Sequence, residues 1–67
     1  MSVAKVTELT ARSNKSFEDA IQQGISRAKK TLDNIEGAWV KDQKVIMSNG
    51  NINEYQVDLK LTFELKD

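Results

Sequence analysis

A chain of 67 residues and 7.6 kDa holds one domain, spanning residues 1–67. At this size folding buries only about 60% of the surface an unfolded chain exposes, so small domains usually add disulfides, a metal or self-association to a marginal core. Cys and His are both absent, which excludes disulfides, thiolate chemistry, and the commonest general base and zinc ligand; ten basic residues cancel ten acidic ones, leaving no net field for nucleic acid or an anionic membrane.

No apolar run approaches the ~20 residues needed to span a bilayer, and the N-terminus lacks the apolar segment of a signal peptide. A composition 39% hydrophobic and 30% charged is that of a soluble domain rather than a disordered tail. The expectation is a small cytoplasmic domain whose extra support comes from copies of itself.

Val3 to Leu9 is rich in β-formers and free of Gly and Pro, which predicts a first strand. Ser16 followed by Asp19 resembles a capping box, and Glu18 and Asp19 suit the positive end of a helix dipole. Phe17, Ala20, Ile21, Gly24, Ile25, Ala28 and Leu32 then follow steps of three and four, the apolar stripe of an amphipathic helix. Gly24 sits on that stripe and weakens the helix by ~1 kcal/mol relative to Ala, which points to a close approach of helix backbone to sheet. Lys29 and Lys30 suit the C-terminal end of the dipole, and Asn34 and Gly37 are read as ending the helix.

A second strand is predicted from Ala38 to Met47. Ala38 and Val40 share one face and Trp39 the other, while Val45 and Met47 continue an apolar parity shifted by one residue. Such a phase change is what a β-bulge produces, here near Asp42 to Lys44. Ser48-Asn49-Gly50-Asn51 is a strong hairpin signal. In the last strand Tyr55, Val57, Leu59, Leu61, Phe63 and Leu65 alternate strictly with polar residues, giving one apolar and one polar face. The order is β-α-β-β, an α+β subunit with a three-stranded antiparallel sheet and one helix on its apolar face.

Ile52 to Leu65 would measure ~46 Å extended, against ~28 Å for the diameter of a compact chain of this length. The strand must either curl round the helix or run past it and bury Phe63 and Leu65 against a neighbour. A single helix covers only part of such a sheet, so self-association is expected.

Little in the chain suggests catalysis. The serines have no histidine base and there is no Gly-rich phosphate loop, so the chain is not read as an enzyme. Asp58 with Lys60, and Glu64 with Lys66, read as ion pairs along an exposed strand face. Asp42 and Asp58 lack the dense spacing of a calcium loop. Trp39 is the only tryptophan and falls on the polar face, as either an interface residue or a platform for a flat aromatic ligand. Gln56 lies on the same face, and its amide offers both donor and acceptor to a heteroaromatic edge.

The whole pattern resembles the dodecins, small flavin-binding proteins that assemble as hollow dodecamers. The resemblance runs through Ser16-Phe17-Glu18-Asp19-Ala20 and Arg27-Ala28-Lys29-Lys30-Thr31-Leu32. It continues through Tyr55-Gln56-Val57 and Leu59-Lys60-Leu61-Thr62-Phe63-Glu64-Leu65. It implies a sheet curled around its helix, a homododecamer of cubic symmetry, and paired flavins (riboflavin, FMN or FAD) between symmetry-related subunits. A tryptophan at the start of the second strand stacks on the isoalloxazine ring in flavin-binding members, and a glutamine of the third strand hydrogen-bonds to it. Gln56 falls on that glutamine. The tryptophan position falls on Gly37, with Trp39 on the same face ~6.5 Å further along the strand. Some members also bind coenzyme A or a metal ion, and Glu64 stands where many carry a basic residue. The resemblance therefore implies a flavin store with Trp39, Gln56 and Gly37 at its site. The alternative is a shell of the same architecture holding another small ligand or an ion.

Overall fold

The computed structural model describes residues 3–65. Its elements are β1 (Val3–Ser13), α1 (Phe17–Ala28), β2 (Ile35–Ser48) and β3 (Asn51–Leu65). The sheet order is β1-β3-β2, with β3 antiparallel to both neighbours, so the last strand in sequence is central in space. This is the expected β-α-β-β subunit.

The helix starts where the capping signal placed it. Ser16 has an extended backbone (φ −169°, ψ 166°), and its Oγ accepts from the Asp19 amide at 2.9 Å. A cap of this kind contributes about 1 kcal/mol. The helix is a turn shorter than its apolar stripe suggests. It closes at Ala28, with Lys30 and Thr31 in tighter turns and the Leu32 amide donating to the Ala28 carbonyl at 2.9 Å. Leu32 still packs against the core. Asn34, at φ 60°, makes the reversal into β2. Gly37 is a strand residue rather than a helix stop, because β2 begins at Ile35 instead of Ala38.

β1 also runs further than its β-rich core, to Ser13. Ala11 stands opposite Val57 and Ser13 opposite Tyr55, so the ladder continues through residues that do not look strand-forming. The extra residue in β2 is Lys41, where the register shifts between Val40 and Asp42, one residue ahead of the expected bulge. Two further shifts lie at Ile35/Gly37 and Ile46/Met47. Asn49 (φ 52°) and Gly50 (φ 79°) form the hairpin turn, both in the left-handed region that a two-residue connection demands.

The core is the seam between α1 and the inner face of β1 and β3. Ala20, Ala28, Val57, Leu59 and Leu61 are buried, ringed by Leu9, Ala11, Phe17, Ile21, Ile25, Leu32 and Ile35. Burying a leucine of this kind is worth roughly 2–3 kcal/mol against leaving it in water. Gly24 explains itself. A Cβ there would lie 3.0 Å from Leu59 Cδ1, 3.1 Å from Ala11 Cβ and 3.1 Å from Leu9 Cδ1. At the helix N-terminus Phe17 meets Tyr55 edge to face, with centroids 5.0 Å apart.

The helix lies over β1 and β3, and of β2 only Ile35 joins the core. Val40 and Val45, on the inner face opposite Leu59 and Tyr55, are 45% and 38% exposed. The molecule is 51 Å long and 19 Å across, so β3 resolves its length problem by overshooting the helix. Much of the overshoot is at the hairpin, where Met47 and Ile52 are exposed; at the other end Phe63 is half-buried and Leu65 exposed. No helix among the described residues is long and apolar enough to cross a membrane.

Candidate functional site

The outer, polar face of the sheet is organised in cross-strand rows set by the two ladders. The first row is Arg12–Gln56–Lys44, the second Thr10–Asp58–Asp42, the third Glu8–Lys60–Trp39 and the fourth Val6–Thr62–Gly37. Successive rows are two residues, or ~6.6 Å, apart. The bulge at Lys41 makes these rows, because without it Asp42 and Lys44 would face the helix side.

Each row has its own chemistry. In the first, Arg12 Nε donates to Gln56 Oε1 at 2.8 Å, and Gln56 is only 9% exposed despite lying on the polar face. In the second, two carboxylates stand opposite each other, and Thr10 Oγ1 donates to Asp58 Oδ1 at 2.9 Å. In the third, Glu8 receives Lys41 Nζ at 3.3 Å and Lys60 Nζ at 3.9 Å, an exposed pairing worth little in stability. Lys60 therefore turns across the sheet to Glu8 rather than along β3 to Asp58, which is taken by Thr10. The Glu64–Lys66 pairing lies outside the described residues, since Lys66 is not among them.

A depression of about 330 Å³ opens over the first two rows, lined by Asp42, Gln43, Lys44, Gln56 and Asp58. A second of about 200 Å³ adjoins it, lined by Glu8, Leu9, Thr10, Lys41, Asp58 and Leu59. Trp39 belongs to neither lining. It stands 69% exposed on the same face as Gln56 but two rows away, ~13 Å along the strands. Gly37 is one row further, and nothing lies within 4 Å of where its Cβ would be. The three sequence-predicted residues thus share one face without meeting inside one subunit.

A family model described as dodecin matches residues 3–66. The chain belongs to the dodecin family. Among its relatives, the dodecin of Thermus thermophilus is 35% identical over 65 residues, covering 97% of this chain and 94% of that one. The calcium dodecin of Mycobacterium tuberculosis is 29% identical over 66 residues, covering 98% and 93%. The solved structure of the dodecin from Streptomyces davaonensis superposes with a TM-score of 0.93 at 30% identity, covering 98% of this chain and 97% of that one. The dodecin family is one of small ligand-binding proteins, and the β-α-β-β subunit seen here is its architecture.

Sequence reasoning missed two pairings on the dodecin outer face. Arg12 lies 44 residues from Gln56, beyond where the first strand was expected to end. Asp42 and Asp58 were read apart because their meeting depends on the exact residue that bulges. A first strand carried on to Ser13 would have exposed the Arg12 pairing; no local signal exposes the other.

Proposed function

We propose that the chain is a small-ligand binding and storage protein that assembles as a homododecamer in the cytoplasm and sequesters flavin between subunits. The observation that carries this is a large aromatic ring left in water on the same face as a buried glutamine. Exposed tryptophans on polar faces belong at contacts. The flank of β2 left bare by the helix supplies a reason for copies to meet, since none of the described residues covers Val40 and Val45. Trp39 and Gln56 stand ~13 Å apart within one subunit, and in this reading the flavin bridges copies, stacked on the tryptophan of one and bonded to the glutamine of another.

The residues present fit a flavin in this way: Gln56 would hold the polar edge of the ring, and Trp39 would stack on its plane in place of the side chain absent at Gly37. A bound flavin supplies a planar, redox-active and photoreactive ring; the protein's part is to stack it, exclude water and buffer its free concentration. No reaction follows from these groups. Coenzyme A is the weaker ligand, since Glu64 offers a phosphate like charge.

Titrating riboflavin with micromolar protein tests the proposal. Quenching of flavin fluorescence is expected, lost in Trp39→Ala, with native mass spectrometry showing twelve copies. No change of fluorescence with the unaltered protein overturns it. Gly37 favours a second reading, a shell of the same build that holds another small ligand or an ion, as the name of the calcium dodecin says of that relative. Protein inert in the titration overturns the first reading, and a bound small ligand or calcium ion retained in native mass spectrometry would support the second.

A further inference from the structure

Among the described residues Gln56 is the only buried polar side chain of β3. Its amide has an acceptor oxygen with two lone pairs and an NH2 with two donor hydrogens, and the two ends make opposite demands on a ligand. Arg12 Nε donates to Oε1 at 2.8 Å, which fixes which end is which. Turning the amide over would set its NH2 against the guanidinium, donor against donor, and forfeit that bond. Among the described residues nothing accepts from Nε2, and no fully buried side-chain polar atom lacks a partner. Nε2 therefore keeps an opening, and Gln56 lines the 330 Å³ depression while Arg12 does not.

We propose that Arg12 is a positioning residue that locks the Gln56 amide with its donors toward the ligand, so that the site selects an acceptor edge and disregards a ring N–H. The ligand class is a heteroaromatic presenting a ring carbonyl or ring nitrogen at this point. Lys44, in the same row and lining the same depression, is a third donor with no acceptor of its own. The inference rests on the flavin reading above and specifies its polar contact.

Riboflavin suits the test because its imide edge carries two carbonyl acceptors around one N3–H donor; methylation at N3 removes the donor, and the bulk of the added methyl is common to every chain, so the comparison between chains reads the hydrogen bond. Both ligands are titrated against the unaltered protein, Arg12→Met and Arg12→Lys. With Oε1 turned toward Arg12 and away from the ligand, N3-methylation is expected to weaken binding by less than about threefold. In Arg12→Met the oxygen is free to accept N3–H, and preference for riboflavin over its N3-methyl form is expected to rise to about tenfold, the worth of one hydrogen bond. Arg12→Lys, which retains a donor, restores the low ratio. The same ratio with and without Arg12 overturns the locking while leaving flavin binding intact. Absence of riboflavin binding in every chain overturns the proposed function and this inference together.

Discussion

Asp42 of β2 and Asp58 of β3 face each other directly across the outer ladder, and of the two only Asp58 receives a side-chain donor, from Thr10, among the described residues. Like charges directly opposite on a sheet destabilise it. Asp42→Asn removes one charge at constant shape and is expected to raise stability by about 0.5 kcal/mol, read from the urea midpoint at fixed protein concentration. The gain should shrink in high salt, where exposed charges are screened. An unchanged or lower midpoint at low salt means that the second carboxylate is wanted.

Gly24→Ala sets two effects against each other. Helix propensity favours alanine by about 1 kcal/mol. The new methyl would stand 3.1 Å from Ala11 Cβ, which is fixed to its strand, and against two leucine methyls. Overpacking of this kind costs about 1–3 kcal/mol, so a net loss near 1 kcal/mol is expected. Thermal unfolding that shifts upward would show that the strand yields.

Asp19 couples stability to acid. Its carboxylate accepts from the Ser13 hydroxyl and from Gln23 Nε2, and Lys15 adds attraction, so its pKa lies below the usual aspartate value. The folded state therefore binds the proton less well than the unfolded one. The stabilisation is complete above the unfolded pKa near 3.8 and disappears as pH falls through the folded value. Ser13→Ala should bring the Asp19 titration, followed by carboxyl NMR, back toward 3.8 and weaken this acid dependence. An unmoved titration curve would falsify the assignment of Ser13 as its main cause.

Gly37 is open to enlargement. Its row faces the outside, and nothing lies within 4 Å of an added Cβ. Gly37→Trp restores an aromatic plane at the start of β2 and is expected to tighten riboflavin binding about tenfold or more, since one stacked aromatic pair contributes 0.5–1.5 kcal/mol beyond burial. Weaker binding would mean that Trp39 already fills the space the ring needs.

Val40 separates assembly from folding. It is 45% exposed in the subunit, so Val40→Glu costs an isolated subunit little. Buried against a neighbour, the same charge is expected to cost several kcal/mol per contact and lower the mass seen by light scattering. An assembly of unchanged mass would place the contact elsewhere.

Much of this fold is legible because its signals are local. The strict alternation from Tyr55 to Leu65, the Asn49-Gly50 turn, the Ser16 cap and the stripe through Gly24 each depend on neighbours within a few residues. Boundaries were less legible. Ala11 to Ser13 became strand only because β3 was there to pair with them, and Leu32 stayed in the core after the helix around it had ended. The site was harder still. That Trp39 and Gln56 share a face follows from alternation, but their ~13 Å separation depends on a register that the Lys41 bulge sets. Arg12 finds Gln56 only once the outermost ladder exists.

The central place of β3 also orders the path by which this chain acquires its structure. The β2–β3 hairpin is local, whereas the β1–β3 ladder brings Val3 to Leu65 across nearly the whole chain. Closing the longer loop costs more entropy before any contact offsets it, so the hairpin is expected to form first and β1 to dock with the helix afterwards. Pulsed hydrogen exchange should find Val57 to Leu61 amides that point toward β2 protected ahead of those that point toward β1. During that interval the bare edge of β3 is the segment most exposed to pairing with a wrong chain.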